Sequence, residues 1–299
     1  MKRSLQLSPQ RMAILALIVL VMIWGYNWVV MKIAVRYAGP FDYATLRVLL
    51  GGLTLMLVLV WRRQPVWPKH PSGAFVVGLF QMSGFYGLST WALVSGGAGK
   101  TAVLNYAMPF WVLILAWLVL GERVRGPQWI AVAAALTGLI CILLPFSLAE
   151  GVFSKGLALL SSVSWAGGVI VAKRLQQRSQ VDLLSFTTWQ MLFGSIPLLL
   201  VALLVPSQPI NWSPAFIAAL VYSIIPGNAI AWLLWFYVLS RLPAGVAGLG
   251  TLAAPVIGVL AAGFQLGETP GMLEAIGMVL IVCALVLNAK QALRPRDVA

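Results

Sequence analysis

The sequence predicts an all-α integral membrane protein of ten transmembrane helices, arranged as two inverted five-helix repeats with both termini in the cytoplasm. Composition, the length of the apolar runs and the side on which basic residues fall predict it. Of 299 residues, 61% are hydrophobic and 9% are charged, and the mean hydropathy is +0.95. A soluble chain keeps roughly a quarter of its residues charged to cover its surface, so lipid-facing side chains must replace the missing charge here. The apolar runs are continuous and close to the ~20 residues a spanning helix needs, whereas barrel strands alternate over about ten. The 17 Pro and 28 Gly fit a helical bundle, because neighbouring helices satisfy the backbone groups that these residues free.

In order, the spans cover residues 12–33, 42–61, 72–94, 101–120, 128–144, 153–173, 183–204, 213–239, 244–266 and 271–289. The first run follows Lys2 and Arg3, as a signal peptide would, but no small-residue cleavage site opens onto a soluble region, so it is kept as a helix. Breaker clusters separate the others: Arg62, Arg63, Pro65 and Pro68; residues 121–127; residues 206–209; and residues 241–243. Connections this short leave no room for a soluble domain. Cys141 and Cys283 fall inside apolar runs and read as small buried hydrophobes, with no disulfide implied.

Basic residues set the orientation. On the side holding both termini lie Lys2, Arg3, Arg11, Arg62, Arg63, Lys69, Arg123, Arg125, Lys173, Arg174, Arg178, Arg241, Lys290, Arg294 and Arg296, against Lys32, Arg36, Lys100 and Lys155 on the other. With Arg47 inside the second span, these account for all 20. The asymmetry supports an even span count and a cytoplasmic N-terminus. The net charge of +13 therefore orients the chain and does not imply nucleic-acid binding.

The halves 1–149 and 150–299 also correspond. Trp24 and Lys32 have the same spacing as Trp165 and Lys173; Asp42 and Asp182 follow in the next loops; Pro109 precedes Gly121-Glu122 as Pro255 precedes Gly267-Glu268; and Cys141 matches Cys283. Matches in one order at a nearly constant shift indicate a repeat. With five spans per half, the second must enter the membrane inverted, which is a transporter arrangement.

Trp24-Gly25-Tyr26-Asn27-Trp28 with Lys32, Arg47, Asn105-Tyr106-Ala107-Met108-Pro109, Gly121-Glu122-Arg123, Trp165 with Lys173, and Pro255 with Gly267-Glu268 together resemble the drug/metabolite transporter superfamily in its EamA-type ten-helix branch. Asn105-Tyr106 before Pro109, with Trp165, is similar to bacterial aromatic amino-acid exporters of the YddG type. The resemblance implies a ligand cavity between the halves, lined by spans 1, 3, 4, 6, 8 and 9 and open to each side in turn. It carries Trp24, Asn105, Tyr106 and Trp165 over as cavity residues.

The residues themselves give further candidates. Trp61, Trp67, Trp129 and Trp212 sit at span ends, as interfacial anchors do, while Trp24, Trp91, Trp111, Trp165 and Trp235 lie deeper. Aromatic walls with few fixed charges suit planar or cationic ligands. Polar groups in hydrocarbon need a partner or a cavity; Asn27, Gln81, Asn105, Tyr106 and Asn228 are taken as substrate-binding with Trp24, Trp165 and Trp235, and Gln190 as structural. Arg47, about one turn into the second span, is read as snorkelling to the outer headgroups, with carboxylate binding as the alternative. Glu122 and Glu268 are read as structural acceptors of helix N–H groups or as a pair across the junction. Pro109, Pro226 and Pro255 are the gating or hinge candidates, since proline frees a backbone carbonyl and lets a helix bend.

All seven acidic residues fall at or near span ends or in the tail, and His70 is in a loop. Proton coupling needs a titratable group that substrate and proton both reach, so facilitated diffusion is expected, with a broad-specificity drug/metabolite proton antiporter as the alternative. The rival class is a lipid-modifying enzyme of the membrane, which would need clustered His or carboxylates that the spans lack. The expected partners are a small-molecule substrate, amino acids first and amines also, and membrane lipids; no cofactor, metal or nucleic acid is expected. The bacterial inner membrane is the expected location, and a monomer the expected state, with a dimer open.

Overall fold

The computed structural model describes residues 8–96, 105–124, 126, 128–143, 152–266 and 271–292. Every regular element among them is helical. The helices are α1 Pro9–Ala34, α2 Pro40–Trp61, α3 Pro71–Gly78, α4 Phe85–Gly96, α5 Met108–Leu120, α6 Gln128–Leu143, α7 Val152–Arg178, α8 Leu183–Leu204, α9 Pro214–Ile224, α10 Ala231–Arg241, α11 Ala244–Gly250, α12 Ala253–Leu266 and α13 Met272–Ala292. Among the described residues, six stretches are long and apolar enough to cross a membrane: α1, α2, α7, α8, Pro214–Arg241 and Ala244–Ala261. Met108–Leu120, Gln128–Cys141 and Ala275–Lys290 are shorter apolar helices.

Sequence accounts for several helix ends. Proline opens α1, α2, α3, α5 and α9, where its missing N–H costs nothing and its fixed φ suits the first turn. Ser8, Asp182 and Ser213 cap α1, α8 and α9, accepting from Arg11, Ser185 and Phe216 backbone N–H groups. Gly121 ends α5 at φ 69°, a conformation that glycine adopts without penalty.

Two rods carry a π-turn each. Leu79–Gly84 joins α3 to α4, and Ile225–Ile230 joins α9 to α10. In the second, Pro226 lacks the N–H that the α ladder needs, so the ladder shifts register there. The expected spans 72–94 and 213–239 thus run Pro71–Gly96 and Pro214–Arg241, each with a π-turn inside. The expected span 244–266 is broken at Thr251 and Leu252, where N–H groups bond three residues back. Pro109 and Pro255 stand in the first turns after breaks, not in helix interiors as expected.

The expected span 153–173 extends to Arg178, so Lys173, expected at the span's end, stands inside the helix. Lys173 is buried, and its Nζ donates to Leu239 O at 2.6 Å and Leu242 O at 2.7 Å. The ammonium thereby satisfies carbonyls at the C-terminal end of α10 and complements its dipole. Lys2, Arg3, Lys100, Arg125, Glu150, Gly267, Glu268, Arg294, Arg296 and Asp297 lie outside the described residues.

Helices α6 and α13 pair along their lengths, as do α2 and α8; α7 lies against α4 and α5, and α1 against α12 and α10. The close approach of α1 to α12 requires Gly25: a Cβ there would sit 2.5 Å from Ile257 Cβ and 2.8 Å from Ala254 O. Small residues at such crossings let backbones meet without a hydrophobic drive from water. The core centres on Trp165, Trp232, Trp235 and Phe236, while Leu57, Leu204, Phe264 and Met272 are among many large apolar side chains that face outward. A soluble protein does not expose such a perimeter.

Candidate functional site

A cavity of about 110 Å³ opens between these helices. From α1 it receives Trp24, Asn27, Trp28 and Met31, which share one helix face at spacings of three and four. Arg47 comes from α2; Phe85, Tyr86, Ser89 and Thr90 from α4; Asn105, Tyr106 and Met108 from the approach to α5; Trp165 from α7; and Trp232 from α10. Thr251, at the break between α11 and α12, and Ala254 complete the wall.

Most of this surface is aromatic. Trp24 meets Trp232 edge-on at 5.5 Å between ring centroids, and Trp235 lies 6.1 Å from Trp24 and 4.9 Å from Trp165. On another wall, Trp28 and Tyr106 are 5.7 Å apart. The Trp24 indole donates to Gly227 O at 3.3 Å, on the π-turn. These contacts hold the rings in fixed orientations, so their faces are prearranged as stacking surfaces.

Two polar networks border the aromatic walls. Asn105 Nδ2 donates to Ser89 Oγ at 3.0 Å, and Ser161 Oγ donates to Asn105 Oδ1 at 2.5 Å, joining α4, the start of α5 and α7. The second runs from Tyr86 OH to Asn228 Oδ1 at 3.4 Å, and from Asn228 Nδ2 to Ser223 O at 2.6 Å. Tyr43 OH lies 2.5 Å from Ser223 Oγ. That serine donates to Ala219 O, so the tyrosine is the donor of the pair.

Arg47 corrects the snorkelling expectation. It is 2% exposed, lines the cavity and stacks its guanidinium over Tyr86 at 4.9 Å and Tyr43 at 5.6 Å. Sequence fixed its depth in α2, one turn from Tyr43, but not the direction in which it points. The carboxylates with described side chains are engaged elsewhere: Asp42 accepts from Ser207, Asp182 caps α8, and Glu122 accepts from Ala244 N at 3.0 Å and Gly245 N at 3.1 Å. Glu122 therefore holds the start of α11, not that of the next helix in the chain.

Of the expected substrate-binding residues, Trp24, Asn27, Asn105, Tyr106 and Trp165 line the cavity together. Gln81, Asn228 and Trp235 do not reach its surface. Gln81 and Asn228 belong to the two π-turns, and Trp235 backs Trp24 and Trp165. Trp91, expected to lie deep, is 49% exposed and packs on Phe153. Tyr86, Ser89 and Trp232 were not singled out by sequence; Tyr86, four residues from Thr90, and Trp232, three from Trp235, could have been found by helical spacing, whereas Ser89 carries no such signal.

The profile of the EamA-like transporter family matches residues 11–144 and again 153–289. The chain belongs to this family. It is therefore a membrane transporter, and its family and relatives point away from enzymes. The transporter YvbV of Bacillus subtilis is 30% identical over 289 residues, covering 94% of this chain and 92% of its own length. A probable amino-acid metabolite efflux pump of Salmonella typhimurium is 27% identical over 285 residues, covering 92% and 93%. Its namesake in Escherichia coli is 26% identical over 286 residues. A solved crystal structure, 20% identical, has a TM-score of 0.81 and covers 94% of this chain and 98% of its own, a likeness of fold.

Proposed function

We propose that the chain exports amino acids, aromatic ones first, across the bacterial inner membrane by alternating access and facilitated diffusion. The observation that carries this reading is the cavity itself: Trp24, Trp28, Tyr106, Trp165 and Trp232 surround polar groups from Asn27, Ser89 and Asn105. Such a lining suits a ligand with one flat apolar end and one polar end. The names of the Salmonella and Escherichia relatives agree with efflux of amino-acid metabolites.

The same reading has ten spans in two inverted repeats, with the cavity between them. It is supported by the double profile match and by the two six-residue π-turns, which open at Leu79 and Ile225, 146 positions apart. Pro109 and Pro255 are separated by the same 146 positions, and both follow breaks in helix. These breaks and π-turns are the hinges of the proposed cycle, because backbone groups freed there can exchange partners as the halves rock.

No described carboxylate or histidine lines the cavity, which supports movement down the substrate gradient over exchange with protons. The test is counterflow of radiolabelled tryptophan and phenylalanine into proteoliposomes holding the purified chain. Trans-stimulated uptake is expected. Absence of flux for every amino acid and amine overturns the proposal.

A further inference from the structure

We infer that Arg47 forms a carboxylate-binding subsite of the cavity, so that the protein selects organic acids over the matching amines; the inference rests on the reading of this cavity as a substrate site. Arg47 is buried at 2% exposure, yet its Nε and Nη1 have no hydrogen-bond partner. A buried cation normally has a carboxylate beside it, since an unpaired charge in a low-dielectric interior is costly. The described carboxylates Asp42, Glu122 and Asp182 bond to other groups.

Tyr43 and Tyr86 present their rings to the guanidinium carbon, at 5.6 and 4.9 Å. The ring faces compensate part of its charge but leave Nε and Nη1 without a hydrogen-bond acceptor. Both tyrosine hydroxyls are turned away, toward Ser223 and Asn228. The result is a buried guanidinium with unpaired donors on two of its edges, beside two rings, on a residue of the cavity wall. A carboxylate matches it in charge, and either edge shared with Nη2 offers the bidentate geometry. Asn27 Oδ1, on the same wall set, also lacks a partner, and as an acceptor it suits the ammonium group of a zwitterion.

The experiment measures binding to the purified full chain in detergent by ligand-dependent thermal stabilisation, with tryptophan, indole-3-propionate and tryptamine as probes. Counterflow in proteoliposomes is measured in parallel. In the wild type, both acids should bind roughly tenfold or more tightly than tryptamine. In Arg47→Met that preference should disappear, with tryptamine affinity unchanged; Arg47→Lys, which keeps the charge and loses the fork, should fall between. If tryptophan binds well and indole-3-propionate binds no better than tryptamine, the inference is overturned, because a carboxylate alone is then not what the site selects. A wild type that binds tryptamine as tightly as the acids overturns the inference even if the variants fail to fold. So does an Arg47→Met protein that loses all three probes equally. Acid-selective binding without any flux supports the subsite and overturns the carrier reading instead.

Discussion

Gly25 offers a direct test of the packing that builds the cavity, because the same substitution elsewhere in the chain has the opposite expected sign. An alanine Cβ at position 25 would stand 2.5 Å from Ile257 Cβ and 2.8 Å from Ala254 O. Carbon contacts settle at about 3.5–4.0 Å, so α1 and α12 would have to part by roughly 1 Å. The carbonyl is backbone and cannot move aside by changing rotamer. Overpacking of this kind costs about 1–3 kcal/mol. Against it, Gly to Ala in a helix gains about 1 kcal/mol of propensity. Gly156, in α7, has no atom within 4 Å of its would-be Cβ, so Gly156→Ala collects the propensity gain alone. The difference between the two variants is then the overpacking cost, about 1–3 kcal/mol, read by unfolding of the detergent-purified proteins. Gly25→Ala should also weaken tryptophan binding, since Trp24 and Trp28 flank it on α1. Equal stability of the two alanine variants refutes the close approach of α1 to α12.

Trp165→Leu should lower affinity for aromatic ligands about two- to tenfold while sparing aliphatic ones, as loss of a stacking face worth about 0.5–1.5 kcal/mol implies; fluorescence-independent competition binding checks it, and equal loss for both ligand types counts against a stacking role. Glu122→Ala leaves the Ala244 and Gly245 N–H groups without their acceptor, and with solvent replacing part of it the cost should be about 1–2 kcal/mol, with Glu122→Gln at roughly half. Thermal unfolding measures it, and an alanine variant as stable as the wild type sinks the assignment. Because no described carboxylate or histidine lines the cavity, an imposed pH gradient should not drive accumulation, and counterflow should change less than about twofold between pH 6 and 8. Uphill uptake driven by protons would establish coupling through a group outside the lining described.

What sequence revealed and what it hid divide along a physical line. Helix positions were legible because transfer of apolar side chains to lipid decides them, and that depends on composition over a window rather than on neighbours. Proline at helix starts and glycine at the end of α5 are equally local effects. The direction in which a residue faces is not local. Each π-turn adds one residue to a turn and rotates everything beyond it by about 100° relative to a uniform helix. Gln81 and Asn228 sit in those turns, and so face the packed interior, whereas Tyr86 beyond the first turn faces the cavity. Arg47 was misjudged for a related reason. A long cationic side chain near a span end can reach headgroups or turn inward, and only the tertiary partners, two tyrosine rings for Arg47 and two carbonyls for Lys173, decide which.

The buried polar groups without partners sort into two sets by the same geometry. Arg47 Nε and Nη1, Asn27 Oδ1 and the Trp232 indole N–H belong to residues of the cavity wall. The amides of Gln81 and Gln190 and the Trp235 indole N–H are fully buried behind it. An unmet buried group costs about 1–3 kcal/mol, so on the proposed reading a ligand that bonded to the first set would recover part of that cost, and the second set offers it none. The first set mixes donors that match an anion with an acceptor that matches a cation, beside rings that match a flat apolar body. On the proposed reading of the cavity as a substrate site, selection for molecules combining these three features follows from groups the fold leaves unsatisfied as much as from those it pairs.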